Sequence, residues 1–436
     1  VALNHLFLDF NAFFASCEQH LRPELRGKPV GVVAVRTENT CCLAASYEAK
    51  RQGVKTGTMV REARRLCPGM LFVEARPAEY VELHENLRKI VETQMHVDAV
   101  HSIDEMSCRL TGRWREREAA RALALQIKAA IREKAGPVLR CSIGVAPNLF
   151  LAKTASDMQK PDGLVVLDEA EWPEALAKLE LRDLCGIGPR MEARLRRAGL
   201  GTVAQLVAAD RAQLRQAWGS VQGERLWEKL RGRDWDAEPA RKTCFGHSHV
   251  LEPALRNEPK ARAVLHRLLQ KAAMRLRAKG YYAGMLVVAV DLLGEHPGEE
   301  DDGWSGEASL EPTQDTVELT QAMDALWERE RPLRDGRRPL RVAVTLTQLE
   351  YWRDHTPSLF ATEAGRRRGL LRVLDGLNQI HGYGAVYWAG AHAAQEAAPM
   401  RIAFNRIPER ELEQEAERGR WRKGRKAGGG GGKTVP

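Results

Sequence analysis

No apolar run in this sequence approaches the roughly 18 residues that a membrane-spanning helix needs, so no membrane partner is expected. Its eight cysteines include no CxxC pair, which weakens a zinc-ribbon or disulfide-framework reading and fits a reducing, cytoplasmic compartment. No segment reads as a secretory leader, since the apolar start LNHLFLDFNAFF carries an acid in its middle. No repeat recurs at a solenoid period. Acids are also in deficit, with 58 Asp and Glu against 67 Lys and Arg, a net charge of +9. That excess favours a polyanionic partner, nucleic acid first.

What is present is a chain of 436 residues, 44% of them apolar, enough for two to four domains with real cores. LNHLFLDF reads as a buried strand and NAFFASCEQHL as a helix. VGVVAV and TCCLAAS read as strands, YEAKRQG as a helical turn, and residues 78 to 95 as a helix with Val81, Leu87, Ile90 and Val91 inward. EAARALALQIKAAIREKAG is an amphipathic helix ended by Gly136. LRCSIGVA and LVVL are strands around the helix NLFLAKTASDMQK. This alternation through about residue 170 predicts a mixed α/β layer. Residues 171 to 238 read as short, arginine-rich helices. Beyond the linker PARKT, HSHVL, GMLVVAVDLL and LRVAVTLTQLEYW predict long strands, with helices between them. These form a second, smaller α+β domain. GEHPGEEDDGWSG reads as a solvated acidic loop, and GRWRKGRKAGGGGGKTVP as a disordered basic tail.

SIDEMSCRL sets Asp104 and Glu105 side by side between the strand-like runs VDAVHSI and MSCRL. Neighbouring strand residues face opposite ways, so both acids reach one place only where the chain turns, and a hairpin turn at 103 to 106 would do that. Asp9 ends the first strand of the same layer. If the strands are neighbours, three carboxylates converge at one sheet end and repel one another unless cations intervene. Hard divalent ions take such oxygens and leave room for phosphate. Ordinary exposed turn acids are the competing reading.

FLDFNAFFASCE, SYEAKRQGVKTGT, SIDEMSCRL, SIGVAPNLFLAKTASDMQKPDGL and LCGIGPRMEARLRRAGL occur in that order. Together they resemble the Y-family translesion DNA polymerases, closest to the bacterial DNA polymerase IV type, over roughly residues 3 to 350. The resemblance implies an α+β, multidomain, right-hand-like polymerase. Its palm would comprise 1–10 and 78–170, its fingers 11–77 and its helical thumb 171–238, with a helix-hairpin-helix. A linker (239–243), an α+β little finger (244–352) and a C-terminal extension with a disordered basic tail (353–436) would follow. The implied reaction joins a primer 3′-hydroxyl to the α-phosphate of a deoxynucleoside triphosphate (dNTP), on primer–template DNA and with low fidelity. The implied cofactors are two Mg²⁺ ions, with Mn²⁺ able to substitute.

The resemblance assigns Asp9, Asp104 and Glu105 as the catalytic acids, with the backbone carbonyl of Phe10 as a further metal ligand. Phe14 becomes the steric gate against a ribose 2′-hydroxyl, with Phe13 beside it as a further dNTP-site residue, although core packing suits Phe13 better. Leu43 lies over the nascent base pair. Tyr47, Lys50 and Lys160 bind the triphosphate, although Lys50 stands where the family usually has arginine, a point charge in place of a planar fork. Ala44 stands where many relatives carry a hydroxyl. Gly186 and Gly188, with Arg190 and Arg194, form a backbone-phosphate contact in the thumb. Arg241 and Lys242 are similar candidates in the little finger. A sliding clamp is the implied protein partner of an otherwise monomeric enzyme. Ser358, Leu359 and Phe360 of TPSLF are the preferred docking peptide and QLEYW (348 to 352) the rival. A non-catalytic DNA- and clamp-binding scaffold is the alternative function.

Overall fold

The computed structural model describes residues 2–38, 40–169, 171–234, 242–293, 303–334, 336–356, 362–398 and 407–408. They fall into two units: residues up to 234 together with Ile407, and residues 242 to 398 with Pro408.

The first unit is organised by β1 (His5–Phe10), α1 (Phe13–Leu21), β2 (Val30–Val33), β3 (Cys42–Ala45), α2 (Tyr47–Lys50), α3 (Val60–Leu66), β4 (Leu71–Glu74) and α4 (Pro77–Glu92). There follow β5 (Ala99–Val100), β6 (Glu105–Arg109), α5 (Arg117–Ala135), β7 (Cys141–Ala146), α6 (Leu149–Met158) and β8 (Leu164–Val166). The main sheet has the order β5-β6-β1-β7-β8. β1 sits in its middle, antiparallel to β6 and β7, and five of its six residues are buried. α4 and α5 cover this sheet, and their inward residues join one core with Leu6, Leu8 and Ile143. α6 presses on β7 closely enough that a Cβ at Gly144 would lie 2.0 Å from the Ala152 carbonyl oxygen, so only glycine fits there.

A second sheet, β3-β2-β4, packs against α1 through β2 and β3, with β2 and β4 parallel. α3 and β4 were not anticipated from the sequence. Both are short, and the three arginines of VREARRL mask the apolar spacing. The remaining helices of this unit are α7 (Trp172–Ala177), α8 (Pro189–Arg197), α9 (Val203–Ala208), α10 (Arg211–Trp218) and α11 (Val221–Lys229). Side-chain caps start α9 and α10: Thr202 and Asp210 each accept from a backbone N–H three residues on.

The second unit contains β9 (Phe245–Val250), α12 (Glu258–Ala278), β10 (Tyr281–Leu292), β11 (Gly303–Thr313), α13 (Thr316–Glu330), β12 (Pro339–Tyr351) and α14 (Thr362–His381). Its sheet runs β11-β10-β12-β9, antiparallel throughout. β11 corrects the loop reading of GWSG, which opens an edge strand paired with β10. The acidic residues EEDD before it lie outside the described residues.

α12 is buried nearly all round, including His266, Arg267, Gln270, Lys271 and Arg275. Buried charge needs partners, and the segment after α13 and β12 supplies several. Asp375 of α14 accepts two hydrogen bonds from Arg277, at 2.7 and 2.8 Å. Gln270 exchanges hydrogen bonds with the Trp388 backbone, and Lys271 donates to the Ala398 carbonyl. The stretch of the C-terminal extension from Asp375 to Ala398 is therefore folded onto α12.

Candidate active site

β1 and β6 pair with Asp9 directly opposite Glu105. The turn before β6 spans residues 101 to 104, slightly earlier than expected, and Glu105 is already a strand residue. The Asp104 carbonyl accepts from Phe10 N–H at 2.8 Å, which ties the turn to the end of β1. All three acids thus meet at one end of the sheet. They line a cavity of about 520 Å³ together with Phe10, Phe13, Phe14, Leu43, Lys50 and Lys160.

Two lysines, Lys153 on α6 and Lys160 just past its end, hold two of these acids, Asp9 and Glu105. Lys153 Nζ lies 2.7 Å from Asp9 and 2.6 Å from Glu105, and Lys160 Nζ lies 2.7 Å from Asp9. Asp157 meets both ammonium groups, at 3.3 and 2.7 Å. Burial alone would lower the Lys153 pKa, but Asp9, Asp157 and its hydrogen bonds outweigh burial and push it up. Burial raises the Asp104 carboxyl, and Asp9 and Glu105 push the same way, while Ser102, donating at 2.5 Å, partly opposes them. The Tyr47 phenol is raised to about 12 by burial, then by Asp9 and Asp157. Lys50 sits 4.8 Å over its ring, and enclosure followed by repulsion from Lys160 lowers the Lys50 pKa.

The chain passes from Asp9 to the aromatic pair in a tight turn, in which Ala12 takes a left-handed φ of 48°. Phe13 turns into the core, 3% exposed. Phe14 is only half-buried and stacks on Tyr80 of α4, centroids 4.8 Å apart. Tyr80 in turn donates to Glu18 at 2.8 Å. Glu18 is wholly buried and takes a two-pronged contact from Arg76, at 2.9 and 3.0 Å, and a longer one from Arg22.

Lys153, Asp157, Tyr80 and Glu18 were missed as site residues. The periodicity of ENLRKIV draws attention to α4's aliphatic residues and away from Arg76, Tyr80 and His84, which share one face at a four-residue spacing. Lys153 lies on α6 and Lys160 just past its C-terminal cap, Gln159, so helical periodicity does not pair them.

Gly186, with φ of +90°, and Gly188, the N-cap of α8, lead into Arg190 and Arg194, both exposed. In the second unit Lys242 is exposed and lies 4.8 Å from the centroid of the Phe245 ring. Arg241, Ser358, Leu359 and Phe360 lie outside the described residues. Four residues of the rival peptide QLEYW belong to β12, where Leu349 pairs with Ala283 and Tyr351 with Tyr281, and Trp352 follows with its N–H donating to the Gly280 carbonyl. Its backbone is committed to the sheet.

Could this pocket hold divalent ions? Among the described residues, no three His, Cys, Asp or Glu side chains are gathered closely enough to make a metal site as they stand. The donors are nevertheless carboxylates, two of them bridged by a cation that is already part of the protein. Such a set suits hard cations.

A sheet end that gathers acids and lysines beside an aromatic-lined cavity, followed by a glycine-turned helical module, fits a polymerase of the right-hand type, and the solved structures it resembles have that fold. Residues 8–157 match the impB/mucB/samB family, residues 242–358 its C-terminal domain, and residues 182–234 the DNA polymerase-iota thumb domain. The chain is 37% identical over 292 residues to DNA polymerase IV of Moorella thermoacetica, spanning 65% of this chain and 72% of that one. It is 32% identical over 288 residues to DNA polymerase IV 1 of Bacillus subtilis, spanning 65% and 69%. Among solved structures, a Y-family DNA polymerase chimera superposes with a TM-score of 0.68 at 24% identity, over 80% of this chain and 99% of that one. An insertion ternary complex of Dbh DNA polymerase gives 0.55 at 25% identity, over 79% and 98%. The chain belongs to the Y family of DNA polymerases, the DNA-directed polymerases of translesion synthesis.

Proposed function

We propose that this chain extends a primer on a DNA template at the Asp9–Asp104–Glu105 end of its main sheet, incorporating dNTPs opposite damaged as well as intact bases. The observation that carries the reading is the convergence of three acids and two lysines at one mouth of the 520 Å³ cavity.

Asp9, Asp104 and Glu105 would hold two Mg²⁺ ions, with the Phe10 carbonyl as a further ligand. When bound, these ions supply activation of the primer hydroxyl and charge neutralisation at the triphosphate. The protein's own part is positioning and charge. Lys160, Lys50 and Tyr47 would grip the triphosphate from the side opposite the primer. Lysine at position 50 offers charge without the forked geometry of arginine, so it orients the phosphates less strictly. Phe14, braced from below by Tyr80, would exclude a ribose 2′-hydroxyl. Leu43 is 37% exposed and aliphatic, which supports a loose roof over the nascent pair and tolerance of damaged bases.

The helices from 171 to 234 would serve as a thumb. Gly186 and Gly188 there bring backbone amides and the α8 N-terminus to a DNA phosphate, and Arg190 and Arg194 add sequence-independent charge. Arg241 and Lys242 would extend that contact along the duplex. Ser358–Phe360 is retained as the clamp-docking peptide, since QLEYW is engaged in β12. We expect a monomer working in the cytoplasm. No described helix is long and apolar enough to cross a membrane. A non-catalytic scaffold would have no use for three acids at one cavity, two of them held by lysine ammonium groups.

The test is primer extension with Mg²⁺ and four dNTPs on an undamaged template, comparing the wild type with Asp104→Ala. Extension by the wild type alone is expected. Extension by both would move the reacting centre elsewhere, and extension by neither, with DNA still bound, would favour the scaffold.

A further inference from the structure

We propose that His84, on α4, is a positioning residue for the turn that carries Asp104 and Glu105. The turn's hydrogen bonds can be accounted for carbonyl by carbonyl. Ser102 C=O accepts from Glu105 N–H at 3.4 Å, Asp104 C=O from Phe10 N–H, and Glu105 C=O from His101 and Ser102 N–H. The Ile103 carbonyl instead meets the His84 ring, with Nδ1 2.7 Å from the oxygen. A carbonyl only accepts, so the ring must carry its proton on Nδ1. Both residues are buried, His84 at 1% and Ile103 at 4% exposure. Water therefore cannot replace the bond, and a missing donor would leave a buried carbonyl beside Asp104 without this partner. Burial lowers the His84 pKa, which keeps the ring neutral at ordinary assay pH.

The placement on α4 gives the contact its consequence. Arg76, Tyr80 and His84 succeed one another along one face of the helix segment. Arg76 clamps Glu18, Tyr80 supports Phe14 and His84 holds the Ile103 carbonyl. One rigid rod thus sets both the aromatic that would sense the sugar and the turn that would hold metal. Movement of the turn alone would displace Asp104 relative to Phe14. This inference rests on Asp104 and Glu105 being the reacting-centre acids.

The experiment compares His84→Leu, which fills the space without a donor, with His84→Asn, whose Nδ2 can reach the same carbonyl. His84→Leu is expected to lower kcat for single-nucleotide insertion by about 10- to 100-fold, because small misplacements of reacting groups cost that much. KM for dNTP and Kd for primer–template should stay within about threefold, since neither ligand touches His84. Mn²⁺ affinity, titrated by electron paramagnetic resonance on the DNA-bound enzyme without turnover, should fall about tenfold. His84→Asn should recover most of both losses. Wild-type kcat and Mn²⁺ affinity in His84→Leu would overturn the proposal, and so would equal losses in the two variants, which would mean packing alone. If His84→Leu does not fold, His84→Gln replaces it. Gln places its donor one carbon further out, so it should be less active than His84→Asn, and parity would overturn the proposal. Asp104→Ala run in parallel separates the two readings: normal extension there defeats the acid assignment, whatever His84 does.

Discussion

Asp9 and Glu18 are both buried carboxylates, on successive elements of one unit, yet they are held in opposite ways. Glu18 is fully enclosed and receives a planar fork from Arg76, a phenol from Tyr80 and a longer contact from Arg22. Its lone pairs are spoken for, and nothing is left to bind a ligand. Asp9 faces a cavity and shares its oxygen with two lysines. Ammonium groups on flexible stems are point charges that can swing away, whereas a guanidinium fork loses two aligned bonds at once. The Asp9 group is also unbalanced, since Asp9, Asp104, Glu105 and Asp157 outnumber Lys50, Lys153 and Lys160. A closed arginine cluster stabilises. On the proposed reading, an open, lysine-held cluster with surplus negative charge would exchange its ammonium groups for metal ions.

That contrast can be broken most directly at Asp104. Asp104→Ala should reduce primer extension by about a thousandfold or more, in line with loss of a principal electrostatic element, while primer–template Kd in a fluorescence titration changes little. Glu18→Ala should do the reverse. It leaves Arg76 and Tyr80 without their acceptor and should cost about 3 kcal/mol, seen in calorimetry as a fall of roughly 5–10 °C in the first unit's melting temperature. A Glu18 variant that melts normally would remove the distinction between the two clusters. Phe14→Ala tests the link between them, since Phe14 stacks on the tyrosine that Glu18 holds. Ribonucleotide incorporation should rise about tenfold or more relative to the parent, with deoxynucleotide extension still measurable.

The smallest effect concerns pH. The Asp104 pKa is raised by burial, so ionising it costs the folded state stability once pH climbs above the unfolded carboxylate's range near 3.9. Asp104→Asn should therefore melt slightly higher than the wild type at pH 7 in a chelator. The gap should close as pH falls through the raised carboxyl pKa towards 4. A gap independent of pH would assign the difference to something other than this carboxylate.

Long, strongly patterned segments were legible from the sequence. β1, α5, β7 and the strands β10 and β12 carry apolar residues at the spacing their burial requires. β11 was not, because an edge strand with GWSG, two acids and a proline exposes every second residue and reads as loop. The acids Asp9, Asp104 and Glu105 stood out, being charges at the ends of apolar strands. Lys153 and His84 did not, since a lysine or histidine inside an amphipathic helix looks like any other polar position. Their importance lies in partners 48 and 19 residues distant in the chain, Glu105 and Ile103.

Residue order alone determined the family, through five motifs whose chemistry is local: an acid and an aromatic pair at a strand end, a tyrosine and lysine on one helical turn, a doubled acid at a turn, a lysine before a proline, a glycine turn. It also determined which segments could be strand or helix, because periodicity is a property of neighbours along the chain. Tertiary structure decided which of two buried carboxylates is closed and which is open. It decided that α4 would brace the site, and that the chain beyond β12 would cover the charged face of α12. Those outcomes depend on contacts between residues far apart in sequence. Burial and hydrogen-bond satisfaction are settled only when the elements pack, and no local pattern records them in advance.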